Sequence, residues 1–109
     1  MKLNQEMSKN LYDFSDKQIG KEYIETLFEK QNIRIEKILS DTESSPEGFW
    51  YDQFEDEIVF LLKGTAIIEY SDGTLTQLQE GEHLYIPARK KHRVAKTSKN
   101  CVWLAVFIK

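Results

Sequence analysis

EIVFLLKGTAIIEYSDGTLTQLQEGEHLYIPARKKH, residues 57 to 92, is the stretch that decides the fold. It consists of short apolar runs separated by residues that favour turns. Asp72 and Gly73 supply the positive φ that a tight hairpin requires, Gly64 separates two runs, and Pro87 ends the last one. Short runs with turn signals every 8 to 12 residues or so are typical of a β-sandwich or barrel. The sequence therefore predicts an all-β protein.

The flanking segments extend this pattern in both directions. Upstream, Ile33 and Ile35 alternate with charged residues in IRIEKILS, as in a half-buried strand. Downstream, residues 101–108 (CVWLAVFI) form another apolar run. Residues 21–30 (KEYIETLFEK) fit a helical stripe as well as a strand, so this element stays open. Residues 57–63 are apolar on both faces, which predicts an interior strand that is covered on both sides.

The first 20 residues differ in composition from the rest of the chain. They are polar, with Leu11, Tyr12 and Phe14 as scattered apolar anchors. We predict an arm at residues 1–20 that packs on the domain or on a partner subunit, and one barrel domain at residues 21–109. Because apolar side chains on an isolated arm need a surface to cover them, the sequence favours a homodimer.

Charge and cysteine content narrow the choice of partners and compartment. A net charge of −3 argues against nucleic acid, whose binding usually requires a basic face. The longest apolar run is far shorter than the roughly 20 residues of a membrane helix, and the start is too polar for a secretory signal. Cys101 is the single cysteine, which suits a reducing compartment. We expect a cytoplasmic protein without a nucleic-acid or membrane partner.

Two spaced motifs resemble those of the cupins, a family of small jelly-roll barrels built as a double-stranded β-helix. Glu57 and Gly64, with six residues between them, match the end of the family's first motif, G-x5-H-x-H-x3-4-E-x6-G. Gly81, Pro87 and His92 match the second motif, G-x5-P-x-G-x2-H-x3-N. The resemblance implies an antiparallel barrel around one central pocket.

The resemblance covers residues 30 to 109, but the usual metal ligands of the family are missing. Cupins typically hold a divalent metal with three histidines and one glutamate, whereas this chain has only His83 and His92. Arg89 also replaces the internal glycine of the second motif, and Lys96 its final asparagine. The three-histidine site therefore cannot form.

Two registers decide which residues stand where the first-motif histidines would be. A three-residue gap before Glu57 selects Tyr51 and Gln53, and a four-residue gap selects Trp50 and Asp52. We prefer the three-residue gap, because a regular strand then points the two selected side chains and Glu57 to one face.

These considerations predict a set of pocket residues that contact a small-molecule ligand: Tyr51, Gln53, Glu57, His92 and Trp103. Gln53, Glu57 and His92 offer nitrogen and oxygen donors for one divalent metal ion, which would be zinc, manganese, iron or nickel. The alternative is a hydrogen-bonded polar cluster without a metal. His83 is expected to be at the surface.

Three functions fit this pattern. The first is a barrel that binds a small molecule without turnover, which the lost histidines favour. The second is a metal-dependent isomerase, lyase or dioxygenase acting on a small anionic or carbohydrate-like substrate, with Glu57 or Tyr51 as acid or base. The third is an oligomerisation module. A basic cluster, ARKKHR at residues 88–93, is either a solvated loop or a feature that attracts an anion.

Overall fold

The computed structural model describes residues 8–14, 22–41, 45–46 and 48–109. In these ranges the chain is all-β, which confirms the prediction from sequence, and the segment whose type stayed open forms a strand at Tyr23–Lys30. No helix in the described part of the chain is long and apolar enough to cross a membrane. The strands are β1 Tyr23–Lys30, β2 Ile33–Ser40, β3 Asp56–Lys63, β4 Thr65–Tyr70, β5 Leu75–Gln79, β6 His83–Ile86, β7 His92–Thr97 and β8 Cys101–Ile108.

The strands form two sheets in which every neighbouring pair is antiparallel. One sheet has the order β1-β2-β8-β3-β6, and the other has the order β5-β4-β7. β3 lies between β8 and β6, which confirms that residues 57–63 belong to an interior strand. The two sheets enclose the core and form the expected jelly-roll barrel.

The inner and outer sides of β3 differ in burial. Its inward residues, such as Leu61 with 0% exposure, pack in the core with Trp103 of β8. Its outward residues Ile58, Phe60 and Leu62 are only half-buried. The sequence predicted that both sides of this strand are covered. Within this chain, only the inner side is fully buried.

The outward side of the five-stranded sheet, which we call the outer face, is apolar where β3 and β8 meet. Phe60 pairs with Leu104, and Ile58 pairs with Val106, so these four side chains share that side. Both β8 residues are also half-buried. An antiparallel sheet that borders water normally alternates apolar-in with polar-out, and this face does not.

The first half of β2 turns its charged residues inward, which reverses the usual orientation of a half-buried strand. Arg34 and Glu36 face the interior, while Ile33 and Ile35 belong to the outer face. The inward charges are tolerated because the Arg34 guanidinium lies 3.0 Å from a Glu36 carboxylate oxygen and 2.9 Å from one of Glu55. Buried charges require such partners.

Part of the predicted arm packs on its own chain. The Asp13 carbonyl accepts a hydrogen bond from Lys37 Nζ at 2.7 Å, and the Phe14 ring meets Tyr23 edge-on at 5.8 Å. Lys37 Nζ also lies 4.8 Å from the centre of the Phe14 ring. Residues 13 and 14 therefore cover the outer face at β1 and β2. The remainder of the arm lies outside the described residues, and its boundary stays a prediction.

Candidate functional site

A cavity of about 140 Å³ lies between the two sheets. One water molecule needs about 10 to 15 Å³ by the same measure, so a small organic molecule fits. The apolar part of its described lining is Ile24, Ile38, Val59, Ile68, Ile86, Val94, Trp103 and Phe107. The polar part is Glu22, Glu36, Ser40, Tyr51, Gln53, Glu57 and His92. All five residues predicted as ligand contacts therefore line it, and their contact with a ligand stays a prediction.

The mouth of the cavity is marked by the lining residues that reach solvent. Glu22 and Ile24 at the start of β1 are exposed, and the Tyr51 side chain is 38% exposed. Trp103, at 4% exposure, lies on the opposite, buried side. The cavity thus opens to solvent beside the start of β1.

His92 is held by its backbone and by one ring nitrogen. Its N–H and C=O pair with those of Tyr51, at N···O distances of 3.1 and 2.7 Å. Its Nδ1 lies 2.9 Å from the Lys90 carbonyl oxygen. Because a carbonyl oxygen only accepts, Nδ1 carries the hydrogen and donates it. The other nitrogen, Nε2, then faces Glu57 inside the cavity.

Glu57, the second residue of β3, connects the polar groups of the cavity. Its Oε1 accepts a hydrogen bond from Gln53 Nε2 at 3.1 Å and lies 3.6 Å from His92 Nε2. The longer distance exceeds a normal hydrogen bond, so the attraction to His92 is mainly ionic. Burial lowers the pKa of His92, but the facing Glu57 carboxylate and the bond to Lys90 outweigh it, and the pKa is raised.

Tyr51 forms one wall beside this pair. Its ring stacks on the His92 ring, with centroids 5.4 Å apart and planes inclined by 26°. Burial, together with the negative charges of Glu22 and Glu57, raises the pKa of the Tyr51 phenol. The hydroxyl therefore stays protonated at neutral pH and acts as a hydrogen-bonding group.

The chain between residues 51 and 57 is not the regular strand that the sequence analysis assumed. Residues 52–55 lie outside any strand, and β3 begins only at Asp56. Within this segment Glu55 binds Arg34 through both carboxylate oxygens, at 2.9 and 3.2 Å. Gln53 still reaches Glu57 across this bend. The preferred register therefore selected residues that line the cavity, for a reason that was partly wrong.

Three polar residues of the cavity were not predicted: Glu22, Glu36 and Ser40. Glu36, Ile38 and Ser40 occupy every second position of β2, so their side chains point to the same side of the strand. The alternation in IRIEKILS therefore grouped Glu36 and Ser40 with Ile38. Ser40 Oγ donates to a Glu22 oxygen at 3.2 Å, which places the start of β1 at the mouth. No local pattern indicated Glu22, because its position follows from the pairing of β1 with β2.

The donors present do not match a resident divalent metal. No group of three His, Cys, Asp or Glu side chains in the described ranges is placed to hold one. His92 Nε2 and the Glu57 carboxylate are the strong donors, Gln53 turns its amide nitrogen to Glu57, and protonated Tyr51 is a weak ligand. Protein metal sites usually have three or four strong ligands. The metal assignment of Gln53, Glu57 and His92 stays a prediction.

The basic cluster at residues 88–93 has most of its charge engaged by neighbouring groups. Arg89 Nε lies 3.1 Å from an Asp52 oxygen, and Arg93 Nη1 lies 2.8 Å from a Glu69 oxygen. Lys90 Nζ lies 4.2 Å from the centre of the Tyr70 ring. These contacts favour the structural interpretation of the cluster over attraction of an anion.

Two other candidate side chains lie outside the lining of the cavity. His83 is exposed on the outward side of β6, as expected, with its ring 5.7 Å from that of Phe60. Cys101 is fully buried, and burial raises the pKa of its thiol to about 11. A thiol with that pKa is almost entirely protonated at neutral pH and is a poor nucleophile.

The His92–Glu57 pair makes stability depend on pH. The folded-state pKa of His92 lies above its unfolded value of about 6.5. The pair therefore contributes its full stabilisation to the folded state below that pH and loses it as the pH rises through the folded-state pKa. We expect the gap in melting temperature between wild type and His92→Gln to be wider at pH 6 than at pH 9. Thermal melts across this range measure it, with His83→Gln as the control. A gap that does not change with pH would contradict the assignment.

Comparison with known proteins agrees with this architecture. The family model for the cupin domain matches residues 43–107. None of the curated proteins matches the chain. A solved structure from Ralstonia eutropha JMP134, described as a "putative mannose-6-phosphate isomerase", is 37% identical, with a TM-score of 0.84. That match covers 94% of this chain and 97% of the other.

Two further solved structures show the same fold at lower identity. A cupin superfamily protein from Desulfitobacterium hafniense DCB-2 is 20% identical, with a TM-score of 0.73 over 84% of this chain and 81% of that one. A cupin 2 conserved barrel domain protein from Leptotrichia buccalis is 24% identical, with a TM-score of 0.73 over 85% of this chain and 43% of that one. The motifs, the barrel formed by the eight strands of the described residues and the matching family model together show that the chain belongs to the cupin family.

Proposed function

We propose that this protein binds a small organic molecule in the cavity between its sheets, without a resident metal. The observation that carries the proposal is the polar cluster of Gln53, Glu57 and His92 facing an otherwise mostly apolar cavity. Such cavities, with few polar groups among apolar walls, are typical of ligand sites. The polar cluster would orient the ligand, and the Trp103 side would receive its apolar part.

The name of the Ralstonia eutropha relative suggests a second candidate, an isomerase acting on a sugar phosphate. Two features of the cavity speak against it. None of the described lining residues is a lysine or arginine that would bind a phosphate. The donor set also lacks the three or four strong ligands that a metal-assisted isomerase would use. We expect no conversion of mannose 6-phosphate to fructose 6-phosphate, with or without added Zn²⁺ or Mn²⁺, in a coupled assay.

The binding proposal is tested by blocking the cavity. Val94 lines it, so Val94→Trp fills part of its volume, whereas Leu75→Trp adds the same bulk at an exposed site on β5. Ligand-observed NMR with a fragment library should give hits on wild type and on Leu75→Trp that Val94→Trp loses. Hits shared equally by all three proteins, or a screen without hits, would overturn the proposal.

We also propose a homodimer joined through the outer face. Residues 13 and 14 cover this face at β1 and β2, so the part available to a partner is formed by β8, β3 and β6. The half-buried apolar residues of β3 and β8 support a second copy as the partner, because identical apolar faces are self-complementary.

The lone buried thiol supports the cytoplasm as the compartment.

Sedimentation equilibrium tests this association. At micromolar concentration the wild type should have twice the 12.8 kDa mass of the chain. Leu104→Arg places a charge in the centre of the outer face and should give a folded monomer, with folding checked by circular dichroism. Leu75→Arg, on the other sheet, should remain dimeric. A monomeric wild type would end the proposal.

A further inference from the structure

The ion pair of His92 and Glu57 has a spacing that one ligand atom can bridge. His92 Nε2 and Glu57 Oε1 are 3.6 Å apart, which is too long for a direct hydrogen bond. Both residues line the cavity. An oxygen atom about 2.8 Å from each of the two atoms would form two normal hydrogen bonds. One polar group of a ligand can therefore bind between the two charges while the pair stays in place.

The hydrogen-bond roles of the two atoms are fixed by their other contacts. His92 Nδ1 donates to the Lys90 carbonyl, so Nε2 is the nitrogen that faces Glu57, and in the ion pair it carries a hydrogen. Glu57 Oε1 accepts a hydrogen bond from Gln53 Nε2, and a carboxylate oxygen can accept a second one. The other oxygen, Oε2, accepts none from the described residues and is not sealed from solvent. The cavity thus offers one donor and one acceptor side by side.

A hydroxyl is the functional group that matches this pair. Its oxygen accepts the hydrogen of Nε2, and its own hydrogen goes to the carboxylate. A carbonyl only accepts, so it leaves the carboxylate without a donor. An ammonium only donates, and beside the imidazolium it meets a like charge. A group that displaces water from such a place gains affinity only if it reproduces the hydrogen bonds of that water, and a hydroxyl reproduces both.

The other walls of the cavity limit the number of hydroxyls that a ligand can carry. Trp103, Ile38, Val59 and Ile86 present apolar surface to the cavity. A sugar carries a hydroxyl on nearly every carbon and would place several of them against these walls without partners, which costs free energy. A molecule with one hydroxyl and a hydrocarbon body avoids that cost and covers the apolar walls.

We infer that the cavity selects a neutral alcohol with an apolar body, whose hydroxyl bridges His92 Nε2 and Glu57 Oε1, in preference to a ketone or an amine of the same shape. This inference rests on the proposed function, because it requires that the cavity bind a small molecule. It adds the functional group that the polar cluster recognises.

Three probes on one carbon skeleton test the selectivity: 1-phenylethanol, acetophenone and 1-phenylethylamine. They carry a hydroxyl, a carbonyl and an ammonium group at the same position. Their dissociation constants are measured by NMR titration of the ¹⁵N-labelled protein at pH 6, below the ordinary histidine pKa of about 6.5. The alcohol should have a dissociation constant about tenfold below that of the ketone and of the amine, because it alone makes both hydrogen bonds.

A charge-neutral variant locates the effect. Glu57→Gln keeps the shape of the side chain and removes the charged acceptor, so the ratio of the ketone and alcohol dissociation constants should fall from about tenfold to within about threefold. Glu80→Gln removes an exposed carboxylate in the turn between β5 and β6 and should leave the ratio unchanged. The wild-type series decides the inference by itself, so the test stays open if Glu57→Gln fails to fold.

The outcomes separate this inference from the proposed function. Ketone or amine binding as tightly as the alcohol, or a ratio that Glu57→Gln leaves unchanged, would overturn the inference and leave the cavity as a ligand site. Failure of all three probes alongside fragment hits that Val94→Trp abolishes would also overturn the inference alone. Failure of all three probes with an empty fragment screen would overturn both.

Discussion

Replacing Gly64 by alanine should lower the free energy of unfolding by about 4 kcal/mol, as the sum of backbone strain and overpacking. Gly64 has a φ of +97°, which residues with a side chain rarely adopt. A Cβ there would also lie 2.6 Å from Ser98 Oγ and 3.2 Å from the Cys101 Cα. The serine can rotate, but the backbone of β8 cannot move without disturbing the core. Urea unfolding measured by circular dichroism checks the change.

Gly73 provides the matched control for this prediction. It has a similar φ of +90°, but a Cβ there meets nothing within 4 Å. Gly73→Ala therefore carries the strain without the clash and should cost about 1 kcal/mol. Equal losses of unfolding free energy in the two variants would show that the close approach of a Cβ at position 64 to Ser98 and Cys101 contributes nothing.

His92→Ala should destabilise the protein by about 3 kcal/mol at pH 7, whereas His83→Ala should stay within about 0.5 kcal/mol. The His92 side chain is buried, donates to the Lys90 carbonyl and faces Glu57 at 3.6 Å. Its removal leaves a buried carboxylate without its cation and a carbonyl without its donor. His83 is exposed on β6 and has no such role.

Chemical denaturation of both variants measures the difference. His92→Gln serves as a further control, because an amide replaces part of the lost hydrogen bonding and should recover part of the stability. Similar losses for the two alanine variants would mean that His92 is not a structural partner of Glu57.

The position of His92 in the second motif therefore has a structural role that does not depend on a metal. The backbone of His92 pairs with that of Tyr51, and its ring meets Glu57 across the cavity. The same position that holds a metal ligand in other cupins here holds one half of an ion pair. This change is consistent with a cavity that binds organic ligands directly.

Much of the fold could be predicted from the sequence. Apolar runs of strand length, the Asp72–Gly73 turn and the motif glycines indicated the barrel and its interior strand at residues 57–63. The match of Glu57 and Gly64 to the first cupin motif also implied one side of the cavity. Strand alternation and the tight turn could be predicted because they are local properties that each segment carries by itself.

Tertiary structure decided the rest, because alternation shows that a strand has two different faces without showing which one is inside. In β2, Ile33 and Ile35 lie on the outer face while Arg34, Glu36 and Ile38 face the interior, since long-range pairing with β8 sets the orientation. The pairing of β1 with β2 made residues 23–30 a strand and brought Glu22 to the mouth. Sequence alone indicated most of the strands and which residues are polar. Only the assembled sheets determined that these carboxylates share one cavity.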